Sequence, residues 1–169
     1  MSSLNKPALV DANKVVEFDS VAWREIRDQK MREWIQDEWA IRFVLDYSDA
    51  VELWDDLIDG DKGIDKQHIM RVFVNMLTVL PFNPFFNQYK PVLMPLISAA
   101  LNAWIDSTSL EKGSDNDKAI AYVLRDYMHE IFIYTIFLTR GHDYMRSVSL
   151  EVRNFFSSHE SLEEYRRRL

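Results

Sequence analysis

A chain of 169 residues with 47% hydrophobic and 13% aromatic side chains carries enough apolar material to bury one core without staples. It contains no cysteine, which excludes disulfides, thiolate metal sites and cysteine nucleophiles. Its net charge of -7, with dispersed basic residues, argues against a surface that tracks nucleic-acid phosphates.

Only four glycines and five prolines interrupt the chain, and that scarcity favours helices over a turn-rich sheet. Residues 1–18 lack sustained periodicity and read as an extended N-terminal arm. They lack the basic-then-apolar pattern of a secretory signal, and no apolar run elsewhere is long enough to span a bilayer. The expectation is a soluble, cytoplasmic protein whose residues 19–169 form a single all-α domain, a bundle of six to eight helices.

Asp19 or Ser20 offers the first N-cap, and neither Gly nor Pro follows until after Asp59. The segment is one long helix or two, because Asp49 and Glu52 can also form a capping box that opens a second helix. Residues 60–63 end it. Asp65 caps the next helix, which reaches about Leu80 with Met70, Phe73, Val74, Leu77 and Leu80 at helical spacing. Residues 81–91 read as an aromatic, proline-interrupted connection whose Phe82, Phe85, Phe86 and Tyr89 suit core or homodimer contacts.

A helix is expected from Val92 to about Asp106, with Pro91 in its first turn, and the polar residues 107–115 then read as a flexible loop. A helix from about Asn116 to Thr139 is apolar nearly all round and is expected near the centre of the bundle. Arg140 and Gly141 stop it, another helix runs from about Asp143 to Phe156, and Ser161 with Glu164 forms a capping box for a terminal helix. Arg166, Arg167 and Arg168 place favourable charge at its C-terminus.

Two acidic constellations carry the candidate chemistry. On the helix before Gly60, Phe43, Tyr47, Ala50, Val51, Trp54, Leu57 and Ile58 share one side at about 100° per residue. Asp46, Asp49, Glu52, Asp56 and Asp59 share the other, with Asp55 at the boundary. Carboxylates spaced three and four apart repel one another unless water or cations screen them. The face is therefore either solvated or holds divalent cations through oxygen, as Mg²⁺ prefers.

The stretch DDLID at residues 55–59 resembles the aspartate-rich motif of class I isoprenoid synthases, with a setting closest to the squalene and phytoene synthase branch. Arg125, Asp126 and Glu130 are similar to the second motif of that branch, Glu130 standing where the family has Asp. The resemblance implies a reduced terpenoid-synthase-like bundle that binds a prenyl diphosphate through Mg²⁺. Asp55, Asp56, Asp59, Asp126 and Glu130 are its implied metal ligands. Arg125, Arg140 and Lys62 are the candidate diphosphate contacts.

Read from the residues alone, Arg125, Asp126, His129 and Glu130 form a polar island in an apolar helix. Buried charges must be paired, hydrated or metal-bound. One reading is an internal ion-pair network in which Arg125 or Arg140 neutralises Asp126 and Glu130. The other sets Asp126 and Glu130 across a cleft from Asp55 and Asp59.

Rival patterns are fewer. Asp65 with His68 and Asp126 with His129 repeat a spacing known from di-iron bundles, with Asp in place of Glu. His142 and Asp143 echo a metal phosphohydrolase pair without its later Asp. No nucleophile elbow or Gly-rich phosphate loop occurs. Three functions stay open: a Mg²⁺-dependent diphosphate-binding protein, an all-α nucleotide pyrophosphohydrolase, and a helical interaction module.

Overall fold

Helix-forming sequence with few breakers gives a chain of helices whose boundaries are set by individual caps. The computed structural model describes residues 20–60, 65–157 and 160–169, with no strand among them. Seven α-helices follow one another: α1 (Ser20–Ile35), α2 (Glu38–Asp59), α3 (Lys66–Val74), α4 (Pro84–Leu110), α5 (Asp115–Arg125), α6 (Glu130–Phe156) and α7 (Leu162–Arg168). The expected all-α bundle is what forms. The N-terminal arm and Lys62 lie outside the described residues, as does the side chain of Asp59.

The first long segment divides at Gln36, not at Asp49. Gln36 adopts φ 63°, and the Asp37 carboxylate accepts from the Ala40 N–H at 2.8 Å, a local cap that ends α1 and opens α2. Gly60 closes α2 in the left-handed region and donates to the Asp56 carbonyl, as an αL cap does. Asp65 caps α3 by accepting from the Gln67 N–H.

α3 continues through a π turn at Asn75–Val79 and a 3₁₀ turn at Leu80–Phe82. The aromatic stretch 81–91 is not a connection, because Asn83 accepts from the Phe86 N–H and Pro84 sits at the first helical position. Cap and proline together start α4 several residues earlier than expected. Pro91 and Pro95 therefore lie inside α4, both on its exposed side.

The polar stretch expected as a flexible loop from residue 107 instead continues α4 to Leu110. The turn that remains ends in a reciprocal capping box between Ser114 and Asp117. The helix expected from Asn116 to Thr139 is broken by a 3₁₀ turn at Asp126–His129. Only its second part is central, where Ile131, Phe132, Ile133 and Ile136 are buried. The capping box of Ser161 and Glu164 forms as expected.

The core gathers Met31, Trp34 and Ile35 of α1, Phe43, Val44 and Tyr47 of α2, Phe85, Phe86 and Leu93 of α4, and the inner face of α6. Phe43 stacks on Phe86 with ring centroids 5.7 Å apart, and Tyr47 meets Phe132 edge to face at 6.1 Å. Such ring pairs add about 0.5–1.5 kcal/mol beyond burial. α2 is thus the helix against which α1, α3, α4 and α6 all pack.

Its acidic side is correspondingly not a solvated face. Asp46 and Asp49 are only 5% and 8% exposed. Arg27 of α1, itself 3% exposed, donates to Asp49 at 3.0 Å and to Ser48 at 3.1 Å. Arg71 of α3 donates to the other Asp49 oxygen at 3.0 Å. Arg42 and Asn75 donate to Asp46. Burial acts to lower the pKa of Arg27, but Asp49, Glu52 and Asp28 outweigh it and hold the guanidinium above its ordinary value.

Among the described residues no single helix is long and apolar enough to cross a membrane. Within α6, Gly141 breaks the helix at φ 81°, ψ 173°, a region open essentially to Gly alone. A Cβ built there meets no neighbour within 4 Å, so the cost of a side chain is purely one of backbone conformation. Gly141→Ala is expected to lower stability by about 1–3 kcal/mol in chemical denaturation. An unchanged midpoint would mean that the kink is absent in solution.

Candidate functional site

Asp55 stands on α2 one turn beyond Val51, where the helix turns from the main core toward α4 and α5. Its Oδ1 accepts from the Trp104 indole N–H at 3.0 Å and from an Arg125 guanidinium N–H. Arg125 lies at the end of α5, immediately before the 3₁₀ turn. Its second terminal nitrogen donates to Glu111 at 2.7 Å, and its guanidinium rests 5.5 Å from the Trp104 ring centroid.

Glu111 also accepts from the Tyr165 hydroxyl at 2.6 Å. Tyr165 is 1% exposed. Burial first, and the Glu111 carboxylate second, raise its pKa well above that of an ordinary tyrosine, so the hydroxyl stays a donor. The chain Asp55, Arg125, Glu111, Tyr165 ties α2, α5, the α4–α5 turn and α7 together. Trp54 packs over Trp104 with centroids 4.5 Å apart and closes the network from the apolar side.

Asp55, Trp104, Arg125 and Tyr165 line a cleft of about 370 Å³. Arg27, Tyr47 and Glu52 of α1 and α2, Asp126 and His129 of the 3₁₀ turn, Phe132 and Phe156 of α6, and Ser157 and Glu160 beyond it extend the lining. The Asp126 carboxylate accepts from the Ser157 hydroxyl, and the His129 ring stacks on Phe156 with centroids 4.5 Å apart.

The two acidic motifs meet only in part. Asp55, Arg125 and Asp126 come together in the cleft wall. Glu130 turns away and is held by Arg153 at 2.7 and 2.8 Å. Asp56 is partly buried on α2 and is not one of the cleft-lining residues. Arg140 donates to the Glu33 and Trp34 carbonyls at the end of α1 and covers the Tyr144 ring at 3.1 Å, which makes it a helix C-cap. His68 pairs with Arg71 on α3, and His142 with Asp143 on the exposed surface.

Among the described residues no three His, Asp or Glu side chains are grouped to hold a metal ion. Of the ligand set that the DDLID resemblance implies, Asp55, Asp56, Asp126 and Glu130 are described and form no such group, and the Asp59 side chain lies outside the described residues. Asp55 is engaged by two nitrogen donors and Glu130 by a third. Sequence reasoning missed Glu111 and Tyr165, which fell in an expected loop and a short terminal helix. It missed Arg27 as well, since nothing local marks an arginine as buried.

A second feature is an apolar surface on α3 and its continuation. Met70, Phe73, Val74 and Leu77, which recur at helical spacing, are each more than half exposed. Leu77 reaches 71% and Phe82 81%. Asn83 donates to the Trp39 carbonyl at 2.9 Å. Beside the stripe runs an apolar groove of about 470 Å³ walled by Met76, Leu80, Phe86, Met94 and residues of α2.

Comparison with protein-family models, with curated proteins and with solved structures gives no match for this chain.

The network predicts unequal costs for two arginines. Arg125→Met leaves Asp55 and Glu111 together without their cation and should lower stability by about 2–3 kcal/mol, less than a fully buried pair because Asp55 is partly exposed. Arg153→Met, at the more exposed Glu130 pair, should cost less than about 1 kcal/mol. Chemical denaturation of both variants checks this, and equal effects would contradict the network.

Proposed function

We propose that this protein is a helical interaction module that assembles with a second copy of itself through the outer face of α3 and its continuation. The observation that carries this reading is the exposed stripe of Met70, Phe73, Val74, Leu77 and Phe82. Five large apolar side chains on one segment approach the few hundred Å² at which an exposed surface marks an interaction site. Single exposed hydrophobics would need no such account.

Charge selects the occupant. The chain carries -7 overall, yet no charged residue lies between Arg71 and Lys90. Two copies carry like net charge and approach through this segment without charge repulsion. The groove is walled in part by Met76 and Leu80 of the same segment, so each copy offers both a ridge and a recess. A two-fold arrangement pairs the ridge of one with the recess of the other, and aromatic anchors in such recesses supply most of the binding energy.

The Mg²⁺-dependent diphosphate reading has one observation behind it, the convergence of Asp55 and Asp126 on one cleft. A metal would have to displace Arg125 from Asp55 and recruit ligands that now serve other partners. The nucleotide pyrophosphohydrolase reading meets the same obstacle. The interaction module is the better-supported function.

Light scattering coupled to gel filtration at tens of micromolar should give twice the 20.0 kDa chain mass. Phe73→Glu with Leu77→Glu should give a monomer with unchanged helical circular dichroism, since both side chains face solvent within one copy. A monomeric wild-type protein would contradict the proposal. Co-sedimentation of a monomer with lipid vesicles would assign the face to a membrane surface instead.

A further inference from the structure

The break at Gly141 folds α6 back on itself as two limbs, residues 130–140 and 142–156. Glu130 and Arg153 are 23 positions apart, about 35 Å along a straight helix, yet they bond at 2.7 Å. A groove of about 310 Å³ is lined from both limbs, by Ile133 of the first and Met145, Arg146 and Ser149 of the second, together with Leu96 of α4. That volume is on the scale of a small-molecule site.

Two polar groups in this groove have unused hydrogen-bonding capacity. Ser149 is only 5% exposed. The other buried hydroxyl side chains are partnered: Ser48 accepts from Arg27, Ser107 donates to the Trp104 carbonyl, and Thr135 donates to the Ile131 carbonyl. The Ser149 hydroxyl has no partner among the described residues, and its oxygen keeps surface open to the groove it lines. A hydroxyl withdrawn from bulk water is costly to leave unmet.

Arg146 stands three positions before Ser149, on the same side of the helix. It makes no ion pair or hydrogen bond among the described residues. Arg153, in contrast, is held by both oxygens of Glu130. The charges of Arg153 and Glu130 cancel, so Arg146 leaves the groove lining with one net positive charge. A recess with an excess of one sign concentrates ligands of the other.

We propose that the groove between the limbs of α6 binds a small organic carboxylate. The Arg146 guanidinium donates to the carboxylate oxygens, a planar fork matched to a planar anion. The Ser149 hydroxyl donates to the same group, and the apolar body of the ligand lies against Leu96, Ile133 and Met145. One uncompensated cation suits a monoanion, whereas a phosphate dianion would carry a second charge toward Glu130. This site is independent of self-association, because it shares no residue with the α3 stripe or the groove beside it.

Two-dimensional NMR of the full chain, titrated with phenylacetate, with phenylacetamide as its neutral counterpart and with inorganic phosphate, tests the proposal. Phenylacetate should shift the amide signals of both limbs saturably, and phosphate should bind more weakly. Phenylacetamide should bind about tenfold more weakly than phenylacetate, having lost the charge-assisted contact. Arg146→Gln should weaken phenylacetate binding by about tenfold, the loss of a hydrogen bond to a charged group. Its melting temperature should be unchanged, since Arg146 holds no other described residue in place. Ser149→Ala should weaken binding in the same direction, with a melting temperature unchanged or higher because an unmet hydroxyl is removed.

Those melting temperatures separate a lost contact from a damaged fold. Absence of saturable shifts with phenylacetate, equal affinity for phenylacetamide, unchanged affinity in Arg146→Gln, or tighter binding of phosphate would each overturn the proposal.

Discussion

A guanidinium group withdrawn from water has to find carboxylates, and in this protein Arg27 finds them on α2. The desolvation of such an ion costs several kcal/mol and is offset only when its donors are met with good geometry. Asp28, Ser48 and Asp49 meet them, with Glu52 3.6 Å away. This arrangement fixes the rotation of α2 about its own axis. Once Asp49 faces α1, Phe43 and Tyr47 must face α4 and α6, and Asp55 must face Trp104 and Arg125. Arg71 binds the second oxygen of Asp49 and anchors α3 by the same carboxylate.

Much of this was legible in the sequence, and the physical reason is locality. Caps act over three or four residues, so Gly60, Asp65, the Ser161 box and the break at Gly141 could be read from short stretches. The failures have the opposite character. Asp46, Asp49 and Glu52 look like a wet face because their partners, Arg27, Arg71 and Asn75, lie on other helices. Asn83 and Pro84 were a readable cap, but the later Pro91 suggested a helix start and masked it.

The candidate site divides in the same way. Asp55, Arg125 and Asp126 were identifiable because acids near an arginine in apolar helices must be paired or used. Their convergence was expected, whereas their partners were not. Glu130 sits one turn from Asp126, but the 3₁₀ turn at Asp126–His129 redirects the chain and delivers it to Arg153. The stripe from Met70 to Leu77 was found by its helical period, which marked a helix but not its surroundings. Periodicity reveals an apolar face without telling which protein surface covers it, and a self-associating helix has the same pattern as a buried one.

α2 consequently separates two environments. One side is a mixed-charge cleft with aromatic walls, and the other is a charge-free apolar face with a groove beside it. Tyr47 and Val51 line both cavities. The account rests on α2 being oriented by a buried ion pair. A double-mutant cycle with Arg27→Met and Asp49→Asn measures that pair directly. The predicted coupling is above about 1.5 kcal/mol, as for groups in one buried network. A coupling below about 0.5 kcal/mol, the range of exposed pairs, would contradict it and return the acidic side of α2 to solvent.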